Sequence, residues 1–143
     1  MKIQPLATND TPATYNAAPD AAITDTTEVV VKDADGEQID AFDVQELEDD
    51  KGNFYFEFAL TDGTMVTLRE PTGNDRVYLQ QIAVKKDGNM PPLELLYRMI
   101  SRLCVGWGEQ AKVSPEFFMG MSHRKLRPIE RRLEAMISHF FRD

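Results

Sequence analysis

The sequence is short of the residues that most protein chemistry needs. A single cysteine, Cys104, stands among 143 residues, which excludes an intramolecular disulfide and any metal site built from several thiolates. The only two histidines are His123 and His139, and neither has carboxylate or cysteine companions at metal-ligand spacing. Ser101, Ser114, Ser122 and Ser138 fall in no nucleophile-elbow pattern. Gly106-Trp107-Gly108 lacks the spacing and the lysine of a phosphate loop. No apolar run approaches the ~20 residues that span a bilayer, and Met1 to Leu6 contains no apolar core segment, so no signal peptide is expected. With no catalytic, cofactor or metal constellation, the expectation is a non-enzymatic, cytoplasmic protein.

Positive charge is scarce in the first third. Residues 1–52 hold 13 acidic and 3 basic side chains, a net of −10, whereas residues 53–143 hold 11 and 13, a net of +2. The overall −8 therefore belongs to the N-terminal third. Residues 1–27, rich in Thr, Ala, Pro and Asp, have too few large apolar side chains to offset the entropy of ordering, and are expected to be disordered. Residues 28–50 form an acidic segment. Val29-Val30-Val31, a turn at Asp35-Gly36 and Gln38 to Val44 would make a short hairpin, although Asp40 and Asp43 count against it. Read as a calcium loop, Asp33-Ala34-Asp35-Gly36 would place Val31 and Phe42 at ligand positions one and twelve, where neither side chain can ligate. A plain acidic turn is the better reading.

From residue 51 onward the pattern is that of a folded domain, with about 90 residues available for a small core. Phe54 to Leu60 and Thr64 to Leu68 flank Thr61-Asp62-Gly63. A three-residue loop with Gly63 left-handed pairs Phe58 with Val66 and Phe56 with Leu68, gathering the apolar side chains on one face. A helix capped by Asn74 or Asp75 should run to about Val84, with Val77, Leu79, Ile82 and Ala83 on an imperfect apolar stripe. Pro91 and Pro92 suit the first turn of a second helix, whose apolar face is Leu93, Leu96, Met99, Ile100, Leu103 and Cys104. Gly106-Trp107-Gly108 should end it, leaving Cys104 a buried structural thiol. Ser114 caps a short third helix begun by Pro115, with Glu116 in its first turn. The last helix is expected to start at or near Pro128, with Ile129, Leu133, Met136, Ile137, Phe140 and Phe141 on its apolar side. The expected fold is α+β, one hairpin followed by about four helices.

Two surface features invite functional readings. His123-Arg124-Lys125-Leu126-Arg127, with Arg131 and Arg132, is the one basic cluster. It could contact phosphates, or form a solvated helix face, or dock the chain's own acidic tail. The small net charge of the folded part and the lack of interleaved aromatics favour a solvated face over nucleic acid. Five of the seven methionines lie in the last 54 residues, and flexible thioethers suit adaptable apolar contacts. Four of the five residues Phe117-Phe118-Met119-Gly120-Met121 are large and apolar and cannot all face inward from a short helix. Phe117, Phe118, Met119 and Met121, with Trp107, Phe140 and Phe141, are the candidate partner-binding residues.

Thr67-Leu68-Arg69-Glu70-Pro71-Thr72 followed by Asp75 resembles the hairpin-to-helix junction of bacteriophage tail assembly chaperones, in particular those of Mu-like contractile-tailed phages. Val113-Ser114-Pro115-Glu116-Phe117-Phe118 and the Leu126 to Phe141 helix resemble their C-terminal part, so the resemblance spans roughly residues 50–143. It implies a chaperone that keeps the helical tape-measure protein soluble until tail-tube subunits assemble around it. The tape-measure protein is then the expected partner, with the tube protein and self-association beside it. The alternatives are a structural tail or baseplate component retained in the virion, or a small nucleic-acid-directed regulator.

Overall fold

Seven of the eleven residues from Ala22 to Lys32 are β-branched, the type that packs best on a pleated surface. In the computed structural model, which describes residues 21–85 and 91–141, this stretch is β1 (Ala22–Lys32), paired antiparallel with β2 (Gln38–Glu48). The expectation of disorder through residue 27 is thus corrected for 22–27, where the threonines act as strand formers once β2 is alongside. Residues 1–20 of that expected tail lie outside the described residues. The short hairpin expected within 28–50 is instead two strands of eleven residues each. Its second strand pairs onward with β3 (Phe54–Ala59), from Gln45↔Glu57 to Glu48↔Phe54. No domain boundary falls near residue 50, and much of the acidic third belongs to the sheet.

β3 pairs with β4 (Met65–Arg69) in the expected register, Phe58 opposite Val66 and Phe56 opposite Leu68. β5 (Cys104–Trp107) completes an antiparallel sheet in the order β1-β2-β3-β4-β5. The first three connections share one design. In each, a three-residue loop ends on a glycine at positive φ, Gly36 at 83°, Gly52 at 81° and Gly63 at 90°. The residue before each loop both donates to and accepts from the backbone across it: Asp33 with Glu37 and Gly36, Asp49 with Asn53 and Gly52, Leu60 with Thr64 and Gly63. Asp33 and Asp49 add a carboxylate oxygen that accepts two further backbone N–H groups. Asp33 to Gly36 is therefore the acidic turn that the spacing favoured.

α1 (Gly73–Lys85) follows β4, and α2 (Pro92–Leu103) opens with proline at its first position. The chain then passes directly into β5. The expectation that Gly106-Trp107-Gly108 only terminates a helix is corrected here, because Trp107 pairs with Val66 and Gly106 with Thr67. Cys104 is buried, at the start of that strand and not on the helix; burial pushes its thiol pKa up. α3 (Pro115–Met119) has the expected cap, Ser114 Oγ accepting from the Phe117 N–H. α4 (His123–Phe140) begins five residues before Pro128, which lies inside it; the Ser122 hydroxyl accepts the Lys125 N–H and caps this end.

α2 packs on β4 and on α4, and α4 packs on β1. Phe42, Val44, Phe58, Val66 and Leu68 from the sheet meet Leu96, Met99, Ile100, Leu133 and Met136 from the helices in one buried cluster. This is a two-layer α+β fold, an antiparallel sheet with its helices over one face.

Candidate partner-binding surface

The segment that carries the family resemblance is held together by one buried carboxylate. Thr72 precedes α1, and Asp75, three residues on, occupies the position from which a carboxylate reaches back to the cap residue. Asp75 Oδ2 accepts from the Thr72 N–H at 2.7 Å and from its hydroxyl at 3.1 Å. Asp75 is therefore not the cap residue expected from sequence but its partner inside the first turn. It is only 1% exposed. Arg69, at the end of β4, grips both of its oxygens at 2.7 and 2.8 Å, and Arg102, near the end of α2, reaches Oδ1 at 2.6 Å. The Arg69 guanidinium, helped by the Thr72 N–H and Arg102, holds this carboxyl far below its ordinary pKa. Arg102 also lies 4.3 Å over the Tyr78 ring. One carboxylate thus ties the hairpin, the start of α1 and the end of α2.

The basic cluster is divided by the fold. Arg132 donates to both oxygens of Asp40 on β2, at 2.6 and 2.9 Å, and to the Ala59 carbonyl at 2.6 Å. Its guanidinium sits 4.9 Å from the centre of the Phe42 ring. Arg127 pairs with Glu130 at 3.2 Å. Arg132 is therefore bound to Asp40 of β2 and not to the N-terminal tail as expected, while His123, Arg124, Lys125 and Arg131 stay exposed. Glu130 is buried on the core side of α4 and accepts from the Tyr97 hydroxyl. Burial, and then the Glu130 carboxylate, push the Tyr97 pKa up. The helical pattern missed Glu130, because a glutamate on an apolar stripe gives no sign that a tyrosine will meet it.

The seven apolar candidates do not form one surface. Trp107 and Phe118 are buried in the core, with Phe118 stacked on Tyr97 at 5.2 Å and edge-on to Trp107 at 5.3 Å. As contact residues they are a correction: both are enclosed by α2, α3 and β5. Phe117 packs edge-on against Trp107 at 5.7 Å, and Phe117 and Met121 are half-buried against the core. Met119 is the candidate that projects outward, 48% exposed, as the crowding of four apolar residues into five required. Phe140 is half-buried, edge-on to Phe56 at 4.9 Å, and Phe141 follows it. α4 has 18 residues and is about 27 Å long at 1.5 Å per residue, so Phe140 and Phe141 lie a helix length away from α3.

Other apolar side chains face outward on the helical layer. Val77 and Val84, two turns apart on α1, are 51% and 72% exposed, and Leu93 at the start of α2 is exposed as well. Only Ile82 among the large apolar side chains of α1 is buried. Nearby, Leu79, Leu95, Leu96, Met99 and Ile137 line a shallow apolar groove of about 270 Å³ between α1, α2 and α4. The uneven stripe read on α1 was the signal for this, since a helix with scattered valines cannot bury them all.

Among the described residues no group of three or more His, Cys, Asp or Glu side chains is placed to hold a metal ion, and no helix is long and apolar enough to cross a membrane. Comparison of the chain with protein-family models, curated proteins and solved structures finds no match.

Proposed function

We propose that this chain is a non-enzymatic assembly chaperone of a phage tail, which binds the tape-measure protein in the host cytoplasm and keeps it soluble until tube subunits enclose it. The observation that carries the reading is the set of large apolar side chains left exposed on the helical layer, Val77, Val84, Leu93 and Met119. Exposed apolar side chains, and separately the apolar groove between α1, α2 and α4, suit an amphipathic helix laid on the surface, and a tape-measure protein is helical with long apolar stripes. The Thr67 to Asp75 resemblance supports the same reading from sequence. Binding is stoichiometric and needs neither nucleotide nor metal, and release follows when tube subunits compete for the same stripes.

Co-expression with the neighbouring tape-measure protein, followed by size-exclusion chromatography with light scattering, tests this. A soluble complex is expected where the tape measure alone precipitates. Met119→Asp, and Val84→Asp with Leu93→Asp, place charges only on exposed positions, so the fold should persist while complex formation falls for whichever patch binds. A charge at Phe117 would instead disrupt its packing on Trp107. Precipitation of the tape measure regardless, with this protein eluting alone, would overturn the reading and favour a component retained in the virion.

A further inference from the structure

β1 is an edge strand that, among the described residues, pairs with β2 alone. The Asp33 N–H donates toward β2, to the Glu37 carbonyl. Alternation along a strand then turns the N–H and C=O of Lys32, Val30, Glu28 and Thr26 away from the sheet. Consistent with that, the Thr26 N–H is met by the Asp25 carboxylate, Oδ1 at 2.9 Å, and not by a strand. Long edges are usually blunted by proline, bulges or inward-pointing charge. Here the register shifts only between Ile23 and Asp25 and between Val31 and Lys32, the ladder from Asp25 to Val31 is regular, and the strand contains no proline.

The side chains sort by face. Val29 and Val31 are buried beneath the helices, while Glu28, Val30 and Lys32 stand on the outer face, with Val30 39% exposed. On that face Glu28 lies directly across from Asp43 of β2, a like-charge pair that weakens a sheet. Neither Glu28 nor Lys32 has an ion-pair partner among the described residues.

We propose that β1 is the interface between two copies of this chain, paired antiparallel about a two-fold axis that passes through Val30 perpendicular to the sheet. Glu28-Val29-Val30-Val31-Lys32 is self-complementary in that register. Glu28 faces Lys32 of the second copy, Lys32 faces its Glu28, and Val30 faces Val30. All of these residues carry the outward N–H and C=O groups, so each pair exchanges two backbone hydrogen bonds. Lys32 of the second copy arrives beside the Glu28–Asp43 pair and neutralises it. On the inner face Val29 meets Val31 of the second copy, and the apolar layer continues across the axis. The register is specific. Moving the axis to Val29 sets Glu28 against Val30 and Lys32 against Thr26, and moving it to Val31 sets Lys32 against Val30.

The flank of the strand has room for such a neighbour. β1 and α4 border an open groove of about 740 Å³, to which α4 contributes Arg127, Arg131, Glu134, Ala135, Ser138 and His139. The second copy's α4 would approach this groove antiparallel, where Arg131 and Glu134 offer a second self-complementary pair and Ala135 and Ser138 are the small side chains between them and the end of the helix. An interface that uses the same patch on both subunits is the isologous arrangement of two-fold dimers.

Sedimentation velocity and light scattering on the full chain across a wide concentration range should give a mass of about twice 16.3 kDa. Val30→Pro removes one outward N–H that the monomer does not use, and is expected to yield a folded monomer by circular dichroism. Glu28→Lys sets lysine against lysine twice, and Lys32→Glu sets glutamate against glutamate twice; each should weaken self-association roughly tenfold or more. An equimolar mixture of these two variants should recover a dimer, because every pair is then opposite in charge. Their sites are exposed, so they carry the test even if Val30→Pro fails to fold. A monomer at all concentrations, a dimer indifferent to Glu28→Lys and Lys32→Glu, or a mixture that does not associate would overturn the proposal.

Discussion

Arg69 holds both oxygens of the Asp75 carboxylate, at 2.7 and 2.8 Å, across the turn that joins β4 to α1. With Arg102 on the same carboxylate at 2.6 Å, this side chain is the pin of the strand-helix junction. Asp75→Ala would leave two guanidinium groups without their carboxylate and the Thr72 N–H without its acceptor. Removing one partner of a buried ion pair costs ~3–5 kcal/mol, and the low end is expected because both arginines reach water. Urea unfolding at neutral pH measures it. A loss below ~1 kcal/mol would mean that the clamp behaves as a surface pair.

The same carboxylate sets an acid limit. Asp75 and Asp40 both have pKa values lowered in the folded state, by Arg69 first for Asp75 and by Arg132 first for Asp40. A carboxyl whose folded pKa is depressed adds stability that is fully present above its unfolded value near 4 and is lost as pH falls toward the folded value. The unfolding midpoint in urea should therefore drop as pH is lowered from about 5 through 3. Asp75→Asn should start lower and lose less over that range. An unchanged slope in the variant would show that other carboxylates dominate.

Tyr97 and Glu130 link α2 to α4 inside the core. Tyr97→Phe removes the hydroxyl donor from a carboxylate that is 3% exposed, and should cost ~1–3 kcal/mol. Replacing both partners by apolar residues of similar shape, Tyr97→Phe with Glu130→Leu, should cost less than the sum of the single changes. Thermal unfolding of the three variants measures this coupling, and strict additivity would sink it.

Arg132 anchors the acidic hairpin to the helical layer through Asp40 and the carbonyls of Ala59 and Ala41. Arg132→Met keeps an unbranched side chain but removes the guanidinium from above Phe42 and leaves Asp40 without its ion-pair partner. Hydrogen exchange should accelerate in β1 and β2, with β4 and α2 little changed. Uniform acceleration across the chain would mean that the hairpin does not open separately.

Gly63 has φ of 90°, and a Cβ added there would meet nothing within 4 Å. Gly63→Ala therefore isolates the backbone penalty of the left-handed region, ~1–2 kcal/mol. Chemical denaturation of this variant checks the loop assignment directly, and no loss of stability would count against it.

The central hairpin was legible from local chemistry alone. Alternating apolar residues and the Thr61-Asp62-Gly63 loop leave one register that buries a single face, and that register is the one found. Pro92 at the start of α2 and the Ser114 cap of α3 were equally readable, because proline and serine act within one turn of where they stand. The α+β class followed from the same signals. β1 was illegible before Val29, since its threonines satisfy a strand only when Gln38 to Glu48 lies alongside. β5 was hidden because Gly106 and Trp107 join a sheet through β4, some forty residues earlier in the chain. Ser122 was passed over as a cap since Pro128 offered a stronger local start signal.

The candidate surface divides along the same line. Composition alone required some of Phe117 to Met121 to face outward, but burial could not be assigned among them without knowing that Trp107 and Tyr97 close around Phe118. The sequence by itself determined the strand and helix segments whose signals are local: side-chain period, caps, prolines and left-handed glycines. Tertiary structure alone decided which charges are spent inside the molecule, Asp75 on Arg69, Glu130 on Tyr97 and Asp40 on Arg132, and so which remain for a partner. The reason is distance along the chain: Asp40 and Arg132 are 92 residues apart, and no local pattern encodes a contact that only the packed layers create.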